Sequence, residues 1–142
     1  FMIYIKKFMF TYFLKKIMKK IFVFFAIEDK FARDNLIFQA QQHHTPFEFT
    51  DLSVHKPWDS KWKTNCRQRI KECDGVIAFI SDNTIHADGA LWEIKCAYEE
   101  NIPVLPVYVH DSGTKNIPSE LSGKRIFHWT WDNIKNFLNS LR

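Results

Sequence analysis

The sequence predicts a single α/β domain built on a parallel β-sheet, and three observations predict it. Short apolar runs such as KIFVFFAI (20–27) and GVIAFIS (75–81) have strand length and no polar alternation, as strands covered on both faces do. Between the runs lie segments that read as helices of 10–15 residues, the pattern of parallel strands joined by right-handed crossovers. The chain has 142 residues, the length of one domain, and can bury an ordinary core without disulfide or metal staples.

In chain order, KIFVFFAI is the first strand. Residues 29–42 place Phe31, Leu36, Ile37 and Phe38 at roughly helical spacing, and His43-His44-Thr45-Pro46 ends that helix. FEFTDL (47–52) is a short second strand, and the loop after it carries Pro57 and Asp59 as turn formers. Residues 60–73 form a polar helix with Trp62, Cys66 and Ile70 on one face. GVIAFIS is the third strand, introduced by Asp74-Gly75, and 89–100 is a helix with Leu91, Ile94, Ala97 and Tyr98 turned inward. IPVLPVYV (102–109) is the fourth strand; Pro103 suits a strand start, and Pro106 requires an edge position or a bulge. KRIFHW (124–129) is expected as a fifth strand and 132–141 as the last helix.

Five such strands predict a flavodoxin-like three-layer fold with sheet order 2-1-3-4-5. A ligand crevice is then expected beyond the carboxyl ends of the strands, where strands 1 and 3 part. That region gathers Phe25 to Asp29, the loop after Asp51, and Ser81 to Glu93. Topology supplies a place here, not a reaction.

Charge and cysteine usage exclude several functions. The formal charge of +4 arises in residues 1–17, which hold Lys6, Lys7, Lys15 and Lys16 and no acid; the remaining 16 basic residues match 16 acidic ones. A neutral body gives no support for nucleic-acid binding. The three cysteines (Cys66, Cys73, Cys96) are odd in number, lack C-x-x-C spacing and fall in or beside helices, as in a reducing cytoplasm. His43-His44 has no third ligand at useful spacing, and a turn is expected there in place of a metal site. A phospho-acceptor receiver is disfavoured because Lys115 lies well beyond Val109, the end of the fourth strand.

Residues 1–17 read as a leader distinct from the domain at 18–142. Their Phe-, Ile-, Lys-, Tyr- and Met-rich composition fits upstream DNA translated in frame, with Met18 as the start, and equally fits a membrane-surface helix. Lysines interrupt the apolar run, so neither a signal peptide nor a transmembrane span is expected.

Several residues have two readings. Phe24 and Phe25 alternate across a buried strand, so at least one is core, and whichever lies at its carboxyl end can stack on an aromatic ring. Asp29 is expected to cap the first helix. Ser81 either caps the helix that follows it or presents a hydroxyl to a ligand. Trp58 in a surface loop suggests ligand or partner contact, whereas Trp62 is expected in the core.

Taken together, IFVFFAIEDKFARD, FTDLSVHKPWDSKW and RIKECDGVIAFISDNTIHADGALWEIKCAYEENIPVLPVYV resemble TIR domains over about residues 19–110. The last stretch resembles the TIR-like family that includes the signal-producing subunit of the Thoeris antiphage defence system. The resemblance implies an NAD glycohydrolase or ADP-ribosyl cyclase, with NAD as substrate, no permanently bound cofactor, and Glu93 as the catalytic carboxylate. It implies Phe24, Phe25, Ala26, Asp29, Asp51, Trp58, Ser81 and Trp92 as substrate-binding candidates; for Trp92, anchoring of its helix is the alternative. It further implies self-association and a downstream effector that senses the nucleotide product. Ala26 departs from the pattern, since many relatives carry serine there, and neither G-x-G-x-x-G nor a Walker sequence occurs. The reading of a different class is a non-catalytic TIR-like interaction module.

Overall fold

Four parallel strands, β1 (Lys19–Phe24), β2 (Phe47–Thr50), β3 (Gly75–Ile80) and β4 (Val104–Tyr108), form one sheet in the order β2-β1-β3-β4. The structure is a computed structural model and describes residues 2–45, 47–50 and 60–142, with the backbone alone at 10–17. The helices are α1 (Met2–Ile17), α2 (Lys30–Gln42), α3 (Ser60–Lys71), α4 (Asp88–Glu99) and α5 (Trp131–Ser140).

The continuous apolar runs are explained by two cores, one on each face of the sheet. Alternate residues of β1 and β3 divide between them: Ile21, Val23, Ile77 and Phe79 pack beneath α2 and α5. Phe22, Phe24, Val76, Ala78 and Ile80 pack beneath α3 and α4. All six residues of β3 are buried, and burial of each large side chain contributes roughly 1.5–3 kcal/mol. Register at the amino end of β1 and β3 is pinned reciprocally. Lys20 N donates to Asp74 Oδ2 at 2.8 Å, and Asp74 N donates to the Lys20 carbonyl at 2.8 Å.

Helix α2 presents different residues from those its apolar spacing suggests. Ala32, Leu36 and Ala40 are buried, whereas Phe31 and Phe38 are exposed. Small side chains let α2 approach the sheet, and Phe31 instead stacks against His110 with ring centroids 6.0 Å apart. His43-His44 does end this helix. His44 takes a left-handed conformation (φ 49°), Thr45 N reaches back to the Ala40 carbonyl and His44 N to that of Gln41, which is a Schellman closure.

The expected fifth strand is reduced to a single parallel bridge between Val107 and Phe127. Tyr108 N donates to the Phe127 carbonyl and Phe127 N donates to the Pro106 carbonyl, each at 2.9 Å. Along a parallel ladder a residue's N–H and C=O face the same neighbour. The donor that Pro106 lacks is therefore the one a longer fifth strand would need. Pro106 thus terminates regular pairing on this side of the sheet, and the segment carrying Phe127 and Trp129 packs through its side chains.

Gly75 opens β3 under α5, where an added Cβ would lie 2.8 Å from Leu141 Cδ1 and 3.1 Å from the Phe137 ring. Gly75→Val is expected to lower stability by roughly 1–3 kcal/mol through overpacking, measured by urea denaturation; an unchanged midpoint would contradict this packing.

Helix α1 carries exposed Met2, Ile3, Tyr4 and Phe8. No helix among the described residues is long and apolar enough to cross a membrane.

Candidate functional site

The structure distributes the candidate residues between two neighbouring clusters. The first joins the carboxyl ends of β1 and β3. After β1 the chain passes through Phe25 and Ala26 into a 3-10 turn, Ile27–Asp29, closed by Asp29 N donating to the Ala26 carbonyl at 2.8 Å. This directs the Asp29 carboxylate inward, where it is 1% exposed. Ser81 Oγ donates to Asp29 Oδ2 at 2.5 Å, and Asn83 Nδ2 donates to Oδ1 at 3.1 Å. Ser81 Oγ also accepts from Asn83 N at 3.0 Å, and Ser81 N donates to Thr84 Oγ1 at 2.9 Å.

Asp29 was expected to cap the helix that follows. It makes no side-chain cap hydrogen bond, because both carboxylate oxygens are engaged across the switch point with Ser81 and Asn83. Ser81 is likewise committed to protein partners. Asn83 escaped the sequence reading, although its place two residues after Ser81 in a polar turn was the available signal.

The second cluster lies in the seam between α3 and α4. Glu93 occupies the second turn of α4 and is 6% exposed. Cys66 of α3, wholly buried, places Sγ 3.8 Å from Glu93 Oε1 as a thiol donor. Trp92 tilts against Trp62, with centroids 5.4 Å apart, and the Arg67 guanidinium stands 5.6 Å from the Trp92 ring centroid. Arg67 also bonds Glu100 at 2.6 Å and Glu99 at 2.9 Å, and these hydrogen bonds push its pKa up. Trp92 therefore anchors α4 to α3, and Trp62 joins the same core layer as expected.

The aromatic pair of β1 separates by layer. Phe24 is 1% exposed, meets Phe22 edge-on at 4.7 Å and belongs to the α3/α4 core. Phe25 is half-buried against the opposite core, with Arg33 5.4 Å from its ring centroid. Ala26 is buried. Asp51 and Trp58 lie outside the described residues. A groove of about 410 Å³ between α2 and β2, lined by Ile37, Ala40, His44, Phe47 and Phe49 among others, includes none of the candidates that lie among the described residues.

All three cysteines are buried free thiols. Burial, then the nearby Glu93 charge, raises the Cys66 pKa far above the ordinary range. Burial raises that of Cys96, and burial followed by the Asp74 charge pushes Cys73 up to about 11. Slow reaction with a thiol reagent at pH 8, becoming complete in denaturant, is the expected result. An unfolded thiol loses its proton from about pH 9 upward. The folded chain retains it and so binds more protons, and stability must fall as pH rises through 9 to 11. A thermal midpoint that stays level over that window would contradict the assignment.

Against known proteins, the chain matches the family model of the Thoeris protein ThsB TIR-like domain over residues 22–114. In structure it is similar to the TIR domain of the Toll-related receptor TRR-2 from Hydra magnipapillata, with a TM-score of 0.65 and 12% identity, covering 84% of this chain and 98% of that one. None of the curated proteins matches the chain. The receptor domain shares the fold, and the family model spans about two thirds of the sequence from β1 through the loop after β4. The chain belongs to the TIR-like domain family of the Thoeris protein ThsB.

Proposed function

We propose that the domain cleaves NAD between nicotinamide and ribose, with Glu93 as the catalytic carboxylate, and that the ADP-ribose product serves as a signal in antiphage defence. The observation that carries this reading is the placement of Glu93. It is a buried acid on the helix after the third strand, held in a seam of α3 and α4, and the resemblance to TIR enzymes supports reading it as their catalytic glutamate. An acid so placed, with little water around it, exerts a strong field on charge that develops beside it.

In the proposed reaction the bond from ribose C1′ to the nicotinamide nitrogen breaks, and its electron pair leaves with nicotinamide. C1′ gains positive character, which the Glu93 carboxylate stabilises while accepting a hydrogen bond from a ribose hydroxyl. An oxygen or nitrogen nucleophile then bonds C1′ and loses its proton. Attack by the substrate's own hydroxyl or adenine closes a cyclic ADP-ribose; attack by water gives the linear form. Phe24 and Trp92 belong to the core layer between the sheet and α3/α4, and in this reading Trp92 supports α4, which carries Glu93. NAD is a transient substrate here, with no permanently bound cofactor. Self-association and an effector that senses the product complete the proposed pathway.

The test is chromatographic measurement of nicotinamide released from NAD by the purified chain over a range of protein concentrations, with Glu93→Ala as control. Turnover that the substitution leaves undiminished, or no turnover at any concentration, would sink the proposal. Ala26 favours the second reading, a non-catalytic interaction module, because this buried position offers a methyl group where many relatives carry a hydroxyl. Concentration-dependent assembly without nicotinamide release would select that reading.

A further inference from the structure

The seam between α3 and α4 contains a group that the proposed reaction has not yet used. Cys66 sits at the middle of α3, wholly buried, with Trp62 one turn before it and Ile70 one turn after it on the inward face. Its Sγ is 3.8 Å from Glu93 Oε1, a contact between residues 27 apart in sequence. Two further ties fix the relation of the helices around that contact. Trp62 packs on Trp92, immediately before Glu93, and Arg67 bridges to Glu99 and Glu100 at the end of α4. Neighbours on both helices thus set the separation between thiol and carboxylate.

From this geometry we infer that Cys66 is a positioning residue for Glu93: its S–H donates to Oε1 and holds the carboxylate in one orientation. The inference rests on the reading of Glu93 as the reacting carboxylate. A thiol suits the task because it is a weak donor in an otherwise apolar wall. Burial and the Glu93 charge keep it protonated, so it remains a donor and adds no second negative charge. Around it, Glu93 and Cys96 bear on it from α4 and Arg69 from its own helix, while β1 contributes only Phe22 and Phe24 to the same core layer. A carboxylate with one oxygen fixed keeps the other directed without reorganising as charge develops at the ribose.

The experiment compares wild type, Cys66→Ala and Cys66→Ser in nicotinamide release from NAD, with the infrared S–H stretching band of Cys66 recorded in parallel. Cys66→Ala is expected to lower kcat about tenfold, the scale of one lost hydrogen bond to a charged group, with KM changed less than about twofold. Cys66→Ser, which keeps a donor, is expected to recover most of the lost rate. The S–H band, assigned by its loss in Cys66→Ala, is expected to shift to higher frequency in Glu93→Ala as the thiol loses its acceptor. Equal losses in the serine and alanine variants would overturn the positioning role and leave Cys66 as packing alone. An S–H band unmoved by Glu93→Ala would overturn the contact itself. Should wild type release no nicotinamide, the reading of Glu93 as the reacting group fails, and the band alone then decides whether the thiol holds the carboxylate.

Discussion

Replacing Glu93 with glutamine is expected to reduce nicotinamide release from NAD by about 10²–10³-fold while leaving the fold intact. The size follows from the proposed role, since removing one preorganised electrostatic partner of a developing charge costs roughly 3–4 kcal/mol of transition-state stabilisation. The intact fold follows from the seam. Glutamine has the volume of glutamate and keeps an oxygen that the Cys66 thiol at 3.8 Å can meet. The substitution also removes a charge from a site only 6% exposed, where a charge is costly to bury. A thermal midpoint at or above that of wild type, together with lost turnover, separates chemistry from unfolding. A variant that unfolds would show that Glu93 is needed to hold α4 in place.

Asp29→Ala is expected to produce the largest loss of stability among single polar substitutions, about 3 kcal/mol, read as a drop in Tm of roughly 10 °C. Asp29 is 1% exposed, and its oxygens accept from Ser81 Oγ and Asn83 Nδ2. Truncation leaves two buried or half-buried donors facing a void, and an unsatisfied buried group costs more than an ordinary hydrogen bond contributes. Asp29→Asn, which keeps one acceptor oxygen, is expected to fall between wild type and alanine. The network ties the turn after β1 to the turn after β3, so both loops should lose protection together in hydrogen exchange. Loss confined to α2 would instead indicate a capping role. Stability unchanged in both variants would show that the network is not formed.

What the sequence conveyed, and what it withheld, divide along physical lines. The strands of the sheet centre were legible because β1 and β3 are buried on both faces and leave no room for polar alternation. The fifth strand was not, because its apolar residues pack by side chain while Pro106 denies the backbone a regular ladder. Apolar spacing in α2 misled in a similar way, since Ala32 and Ala40 face the sheet and Phe38 faces out. The place of Glu93 on α4 was legible from order and resemblance. Its depth was not, because the cavity that accepts it is shaped by α3, a helix more than twenty residues earlier in the chain. Asp29 was legible as an important acid but assigned the wrong partner, as local sequence favours a cap and only the fold brings Ser81 and Asn83 within reach.

The central claim is tested most directly by mass analysis of NAD after incubation with the full chain and, in parallel, with folded Glu93→Gln protein at the same concentrations. The account predicts nicotinamide and an ADP-ribose or its cyclised form with the wild-type chain, and intact NAD with the variant. Recovery of intact NAD from both, or equal product from both, would contradict it.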